Sequence, residues 1–218
     1  MYRVKEAFYT LQGEGAQAGR AAVFCRFSKC NLWTGREKDR ATAVCDFCDT
    51  DFVGTDGQNG GVFATPEALA AHIAGLWPTA PGKPYVVCTG GEPLLQLDAP
   101  LIEALHQAGF EIGVETNGTL PAPAGIDWLC VSPKADAPVV IERCNELKLV
   151  FPQPKAMPER FLHIQADHFF LSPMASPSVP ETSADVVKQS NTRKATNYCL
   201  ANPRWRLTLQ MHKIIGID

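Results

Sequence analysis

KPYVVCTGGEP, residues 83–93, joins a short apolar run to two glycines, an acid and a proline. The run from Tyr85 to Thr89 is β-branched and aromatic on both strand faces, the pattern of a buried strand. Gly90 and Gly91 allow backbone groups to come close, although GGEP alone also reads as a plain turn. What lies on either side resolves the context. Upstream, TPEALAAHIAGLW (65–77) predicts a helix with Thr65 as cap, Pro66 in the first helical position and Glu67 in the first turn. Downstream, DAPLIEALHQAG (98–109) predicts a second helix, capped by Asp98 and stopped by Gly109.

The pattern extends outward. FEIGVETNG (110–118), DWLCVSPK (127–134), ELKLVF (146–151) and DHFFLSP (167–173) read as strands running into loops. VKEAFYTL (4–11) and AAVFCRF (21–27) read as early strands, and VGTDGQNGG (53–61) as turns. SADVVKQSNTRKATNYCLA (183–201) reads as a helix and RWRLTLQMHKIIGI (204–217) as a final strand region. Strand–helix alternation of this kind predicts an α/β protein with a parallel sheet. CTGGEP, VETNG and VSPK each follow a strand directly. The C-terminal ends of parallel strands gather chemistry, so these three motifs are expected on one rim. No repeat, linker or low-complexity tract interrupts residues 1–218, and one domain is expected.

Composition narrows the function classes. The 218 residues are 45% hydrophobic and 20% charged, enough for a core without covalent staples. A net charge of −3 gives no electrostatic case for nucleic acid or an anionic membrane. No apolar run approaches the roughly 20 residues that span a bilayer. The N-terminal MYRVKEAFYTLQGEG carries charges where a signal peptide would be apolar, so a cytoplasmic protein is expected. There are eight cysteines. In a reducing compartment they point to metal or redox chemistry rather than disulfides. Cys88 and Cys130 sit in apolar runs and read as core residues; Cys144 and Cys199 carry no signal.

CNLWTGREKDRATAVCDFCDT (30–50) holds Cys30, Cys45 and Cys48. Three thiols are one short of a closed zinc site. Cys25 would have to be the fourth, yet about five extended residues place it roughly 16 Å from Cys30. A redox pair at Cys45 and Cys48 is a second reading, but it leaves Cys30 and GGEP without a role. Three thiolates on a cluster with one open iron use all of these features.

This arrangement resembles the radical S-adenosylmethionine (SAM) enzymes, with three early cysteines, an aromatic (Phe47) inside the C-x-x-C pair and GGEP after the next core strand. Their usual first spacing is three residues; here it is fourteen. A narrower resemblance accommodates that gap. FYTLQGEG (8–15), GRAAVFCRFSKCN (19–31), CDFCDT (45–50), VETNG and VSPK together resemble the 7-carboxy-7-deazaguanine synthases of queuosine and 7-deazapurine biosynthesis, some of which carry long loops between the first two cysteines. A glycine commonly precedes the first cysteine in that family; this chain has Lys29.

The resemblance implies an open, incomplete (β/α) barrel of the radical SAM type, with an atypical long loop in the cluster-binding region. A full eightfold barrel takes roughly 250 residues. It implies a cluster loop at about 29–50 and a C-terminal segment, about 172–218, completing the site. It also implies a lyase that converts 6-carboxy-5,6,7,8-tetrahydropterin to 7-carboxy-7-deazaguanine with ring contraction and loss of ammonia. Cys30, Cys45 and Cys48 would hold a 4Fe-4S cluster, and Thr50 would hold Mg²⁺. Phe47, Asp49, Gly90, Gly91, Glu92, Ser132 and Lys134 would bind S-adenosylmethionine. Gln12, Gly13, Glu14, Arg26, Thr89, Glu115 and Asn117 would bind the pterin. Glu14 and Glu115 suit its adjacent N–H donors, and Arg26 its carboxylate. Flavodoxin or ferredoxin as electron donor and a homodimeric assembly are the expected partners. The rivals are a glycyl-radical-enzyme activating enzyme, against which LQGEG argues, and a non-catalytic zinc module.

Two further features carry expectations. His72, His106, His163, His168 and His212 fall in no metal spacing and read as structural or surface residues. The tail LTLQMHKIIGID (207–218) stays apolar almost to its end, unlike a free terminus. It is therefore expected to dock, either for packing or to close over the rim and bring its terminal charges toward the substrate.

Overall fold

The computed structural model describes residues 1–79, 81–177, 179 and 184–217. The strands are β1 (Tyr2–Leu11), β2 (Ala21–Phe27), β3 (Gly61–Phe63), β4 (Tyr85–Gly90), β5 (Glu111–Thr116), β6 (Trp128–Val131), β7 (Arg143–Phe151), β8 (Gln165–Pro173) and β9 (Arg206–Leu207). The helices are α1 (Pro66–Leu76), α2 (Ala99–Gln107), α3 (Val186–Ala201) and α4 (Met211–Ile215). One sheet runs in the order β3-β1-β2-β4-β5-β6-β7-β8-β9. From β2 onward neighbouring strands are parallel. The order leaves β3 and β9 as the two edges, so the barrel is open.

The period-2 alternation of a strand assigns each residue to one face. On β2, β4 and β5 one set (Val23, Cys25, Phe27; Val86, Cys88; Ile112, Val114) packs into a core beneath α1 and α2, which contribute the fully buried Leu69, Ile73, Leu101 and Leu105. Each such side chain stabilises the layer by roughly 1.5–3 kcal/mol. On β7, Leu147, Leu149 and Phe151 do the same against Trp205 and Ala195. The alternate set faces the barrel lumen. It is apolar at the bottom, where Ala22, Tyr85 and Val87 cluster, and polar toward the rim. That gradient positions the site.

Both helix caps form as expected. Thr65 accepts a hydrogen bond from the Ala68 amide and Asp98 from the Leu101 amide. Three expectations need correction. The sheet is mixed, because β1 runs antiparallel to β2 and to β3. The turn-rich 53–61 region ends in β3, whose three residues pair with the start of β1. The final strand region shrinks to two residues of β9 and then becomes α4, closed by Gly216 at φ 71. The apolar pattern of MHKII suits a short helix as well as a strand, and only docking decides between them. Cys25 pairs in register with Cys88 inside the core. β2 stops at Phe27 and the chain turns at Lys29, so Cys25 does not reach Cys30. Lys29 has φ 77, a left-handed conformation that favours glycine, the residue that the resemblance leads one to expect there. Among the described residues, no helix is long and apolar enough to cross a membrane.

Candidate active site

Two adjoining cavities meet at the ends of β4 and β5, the first extending toward β7 and β8 and the second toward β1 and β2. The first, about 210 Å³, is lined by Cys30, Cys45, Phe47, Cys48, Ser132 and Lys134 among others. The two glycines of GGEP, Gly90 and Gly91, form part of its wall. A side chain at Gly90, where φ is 142, would collide with the Phe27 backbone, and one at Gly91 with the Lys29 carbonyl. The Gly91 amide donates to the Phe27 carbonyl at 3.2 Å and the Glu92 amide to the Lys29 carbonyl at 2.9 Å. The two glycines therefore seat the cysteine loop on the end of β4.

Glu92 lines neither cavity. It is fully buried. Its Oε1 accepts from the Leu94 amide and the Thr116 hydroxyl, and its Oε2 from the Asn117 amide. Burial still pushes its carboxyl up despite these donors. Its side chain pins the β5 turn to β4, so any help to the cofactor is indirect.

Cys30, Cys45 and Cys48 converge on the first cavity; Cys25 and Cys88 remain in the core. The Leu32 amide donates to Cys30 Sγ at 3.4 Å. The Cys45 thiol donates to Cys48, holding Cys48 down at about 6, while the same bond and burial push Cys45 up. Burial likewise pushes Cys30 up. Among the described residues, no three His, Cys, Asp or Glu side chains could hold one metal ion. Three thiols around a cavity of this size suit a multi-iron cluster better than a single zinc. Lys134 Nζ lies 2.6 Å from both the carbonyl and the hydroxyl of Ser132. Behind them, buried Gln153 accepts from the Ala135 amide and donates to the Pro133 carbonyl, holding the VSPK loop.

The second cavity, about 400 Å³, is lined by Gln12, Glu14, Arg26, Thr89 and Glu115, five of the seven residues expected to bind substrate. The other two lie elsewhere. Asn117 faces the first cavity, donates to Asn31 Oδ1 at 3.0 Å and accepts from Thr119. Gly13 contributes backbone: its carbonyl accepts from the Met211 amide, and a side chain there would run into the His212 ring. Arg26 already pairs with Glu6, Nε to Oε1 at 2.7 Å. Glu14, Asp49, Thr50, Thr89, Gly90, Glu115 and Gln210 line both cavities, so the two meet there.

Lys148 of ELKLVF was not expected here. Buried on β7, it donates to Glu14 Oε2 at 2.9 Å and Glu115 Oε1 at 3.2 Å. Ser172 donates to the other Glu14 oxygen, and Gln12 donates to Glu115 Oε1. Burial pushes the Glu14 carboxyl up, but the Lys148 charge and the two hydrogen bonds outweigh it and hold it down at about 2. Alternation could have found both new residues. Lys148 shares a strand face with Glu146, and Ser172 with Phe170, opposite the apolar core positions.

The tail lies across the rim, but the apolar burial expected to hold it there is largely missing, since Met211, Ile214, Ile215 and Ile217 stay exposed. Gln210, His212, Lys213 and Ile217 line the second cavity, and Lys213 pairs with Asp49 at 2.8 Å. His212, expected to be structural, therefore belongs to the cavity wall. The terminal charge of Asp218 lies outside the described residues.

Comparison with known proteins gives the following. A family model for the radical SAM superfamily matches residues 40–149. The chain is 62% identical over 216 residues to the 7-carboxy-7-deazaguanine synthase of Bordetella pertussis, and equally to that of Caulobacter vibrioides, covering 99% of this chain and 99% of each relative. A crystal structure of QueE from Escherichia coli is similar with a TM-score of 0.68 at 26% identity, over 97% of this chain and 94% of that one.

Proposed function

The chain belongs to the 7-carboxy-7-deazaguanine synthases of the radical SAM superfamily, and from that premise we propose that it converts 6-carboxy-5,6,7,8-tetrahydropterin to 7-carboxy-7-deazaguanine with ring contraction and loss of ammonia. The observation that carries this reading is the abutment of the two cavities: the three thiols line the first, Lys148 lines it too, and its partners Glu14 and Glu115 stand on the wall that both share with Thr50, Thr89 and Gly90. A bound 4Fe-4S cluster and S-adenosylmethionine supply homolytic cleavage of an aliphatic C–H bond, which no side chain can perform. The protein's task is to bind, orient and exclude water.

In this reading Cys30, Cys45 and Cys48 hold the cluster and Phe47 lies along the cofactor. Asp49, Gly90, Gly91, Ser132 and Lys134 hold S-adenosylmethionine, with Glu92 fixing the rim beneath them. Gln12, Glu14, Thr89 and Glu115 read the pterin edge, with Gly13 and Asn117 shaping the approach. Arg26 meets the substrate carboxylate by sharing its guanidinium with Glu6. Residues 172–218 complete the site within one domain. The enzyme works in the cytoplasm as a homodimer, with flavodoxin or ferredoxin as reductant. The direct test is an anaerobic assay of reconstituted protein with the carboxytetrahydropterin, S-adenosylmethionine and a reductant. Ring-contracted product is expected; none from protein loaded with about four irons would overturn the assignment.

Mg²⁺ would assist by charge stabilisation, with the Thr50 hydroxyl as the protein oxygen that would hold it. Thr50→Val keeps the shape and removes the oxygen. It is expected to raise the Mg²⁺ concentration for half-maximal rate roughly tenfold, the scale of losing a supporting contact at a metal. An unchanged Mg²⁺ titration rules Thr50 out.

The tail closes the second cavity. Removing residues 214–218 takes away Ile217 and the end of α4 while leaving His212 and Lys213. KM for the pterin is expected to rise about tenfold, equivalent to about 1.4 kcal/mol, with iron content and Tm unchanged. A lower Tm with unchanged KM assigns the tail to packing alone.

A further inference from the structure

Within the fourteen residues between Cys30 and Cys45, Arg40 makes contacts with both the insertion and the C-x-x-C bend. The turn of 3-10 helix at Glu37–Thr42 raises Arg40 beside the C-x-x-C bend. Arg40 Nη1 donates to the Asp46 carbonyl at 2.8 Å and the Cys48 carbonyl at 2.9 Å. These carbonyls bracket Phe47, and their orientation sets where the Cys48 side chain departs from the backbone. The other edge of the guanidinium pairs with both oxygens of Glu37, at 2.8 and 2.6 Å. Its face lies 4.2 Å from the ring centre of Trp33. Trp33 is buried, meets Phe52 edge-on at 5.7 Å, and both rings line the first cavity.

We infer that this insertion is a clamp for the cluster and that Arg40 is its positioning residue. It links the insertion, the carbonyls of the C-x-x-C bend and the aromatic wall. The Glu37 pair is a surface contact, with Glu37 76% exposed, and such pairs contribute little. The carbonyl bonds and the stacking on Trp33 are therefore the working contacts. They require a planar group with several donors in fixed directions, which arginine has and lysine lacks. A three-residue spacing would leave no chain to carry such a group; the long loop supplies it.

The inference rests on the reading of Cys30, Cys45 and Cys48 as cluster ligands. Full-length protein is reconstituted anaerobically as wild type, Arg40→Gln, Arg40→Lys and Glu37→Gln. Iron release to a chelator, the electron paramagnetic resonance spectrum of the reduced cluster and the Tm of the apoprotein are measured. Arg40→Gln is expected to release iron roughly tenfold faster, as for loss of an outer-shell partner, and to broaden the spectrum. Arg40→Lys is expected to follow it, Glu37→Gln to match wild type, and apoprotein Tm to hold in all three. If Arg40→Gln lowers that Tm, Arg40→Lys decides alone. Wild-type release and spectrum in the deciding variant overturn the clamp. Wild-type protein that takes up no iron overturns the functional reading, and the clamp with it.

Discussion

Cys30→Ala, Cys45→Ala and Cys48→Ala are each expected to abolish turnover and to reduce bound iron from about four per chain to near zero. Cys25→Ala, Cys88→Ala and Cys130→Ala are expected to retain it. The contrast follows from where the strands place each thiol. Cys25 and Cys88 face each other across neighbouring strands in the outer core, and burial pushes both thiols up. Cys130 lies against Glu146 in the lumen, below the rim. None of these three lines the first cavity. Removing Cys25 or Cys88 is a small core truncation and removing Cys130 loses one weak thiol contact to Glu146, each costing about 1 kcal/mol without touching the cluster. The three rim cysteines leave the backbone within one loop, and two thiolates cannot keep a cluster that three hold with one iron open. Iron and sulfide analysis on anaerobically reconstituted protein decides the matter. Loss of iron from Cys25→Ala as complete as from Cys45→Ala would restore the four-thiolate reading, and one zinc per wild-type chain would restore the zinc module.

How much of this was legible beforehand differs by element. The rim was readable because three motifs each follow a strand, and the parallel sheet carries their residues to one end. The caps at Thr65 and Asp98 were readable because capping is local. The antiparallel start was not, since an apolar strand carries no mark of its direction. The three residues of β3 lie below the length at which alternation can be recognised. His212 had no pattern around it; it enters the cavity wall only because α4 docks on Gly13. Lys148 and Ser172 were hidden differently. ELKLVF and FFLSP read as apolar strands when averaged, and only splitting them by face separates a lumen lysine and serine from the core.

Lys148→Met is expected to cost roughly 3–5 kcal/mol at neutral pH, on the order of 10 °C in Tm, and to remove most of the pterin affinity. Burial alone would push the Lys148 ammonium down. Glu115 and Glu14 outweigh it and hold the group well above the usual lysine range. The sign of the pH dependence follows from both partners. Glu14 is held below its ordinary 4.5, so its contribution is present above that value and lost as pH falls toward about 2. Lys148 is held above 10.5, so its contribution is present below that value and lost only as pH rises through the higher folded value. The network is therefore whole across neutral pH in the wild type. Methionine fills a similar volume but leaves the half-buried Glu14 and Glu115 facing each other, with Glu146 nearby. With Lys148 gone, burial, the largest influence on Glu14, pushes its carboxyl up, so the variant is steadiest when Glu14 is protonated and weakens as pH climbs through the carboxylate range. Melting curves of the apoproteins from about pH 4.5 to pH 7.5 should show the gap to wild type widening with pH. A gap that narrows with rising pH, or equal Tm at pH 7, would mean that Lys148 does not hold the two carboxylates. Glu115→Gln added to Lys148→Met should recover part of the lost stability, because it removes one of the two opposed charges, while pterin binding stays impaired.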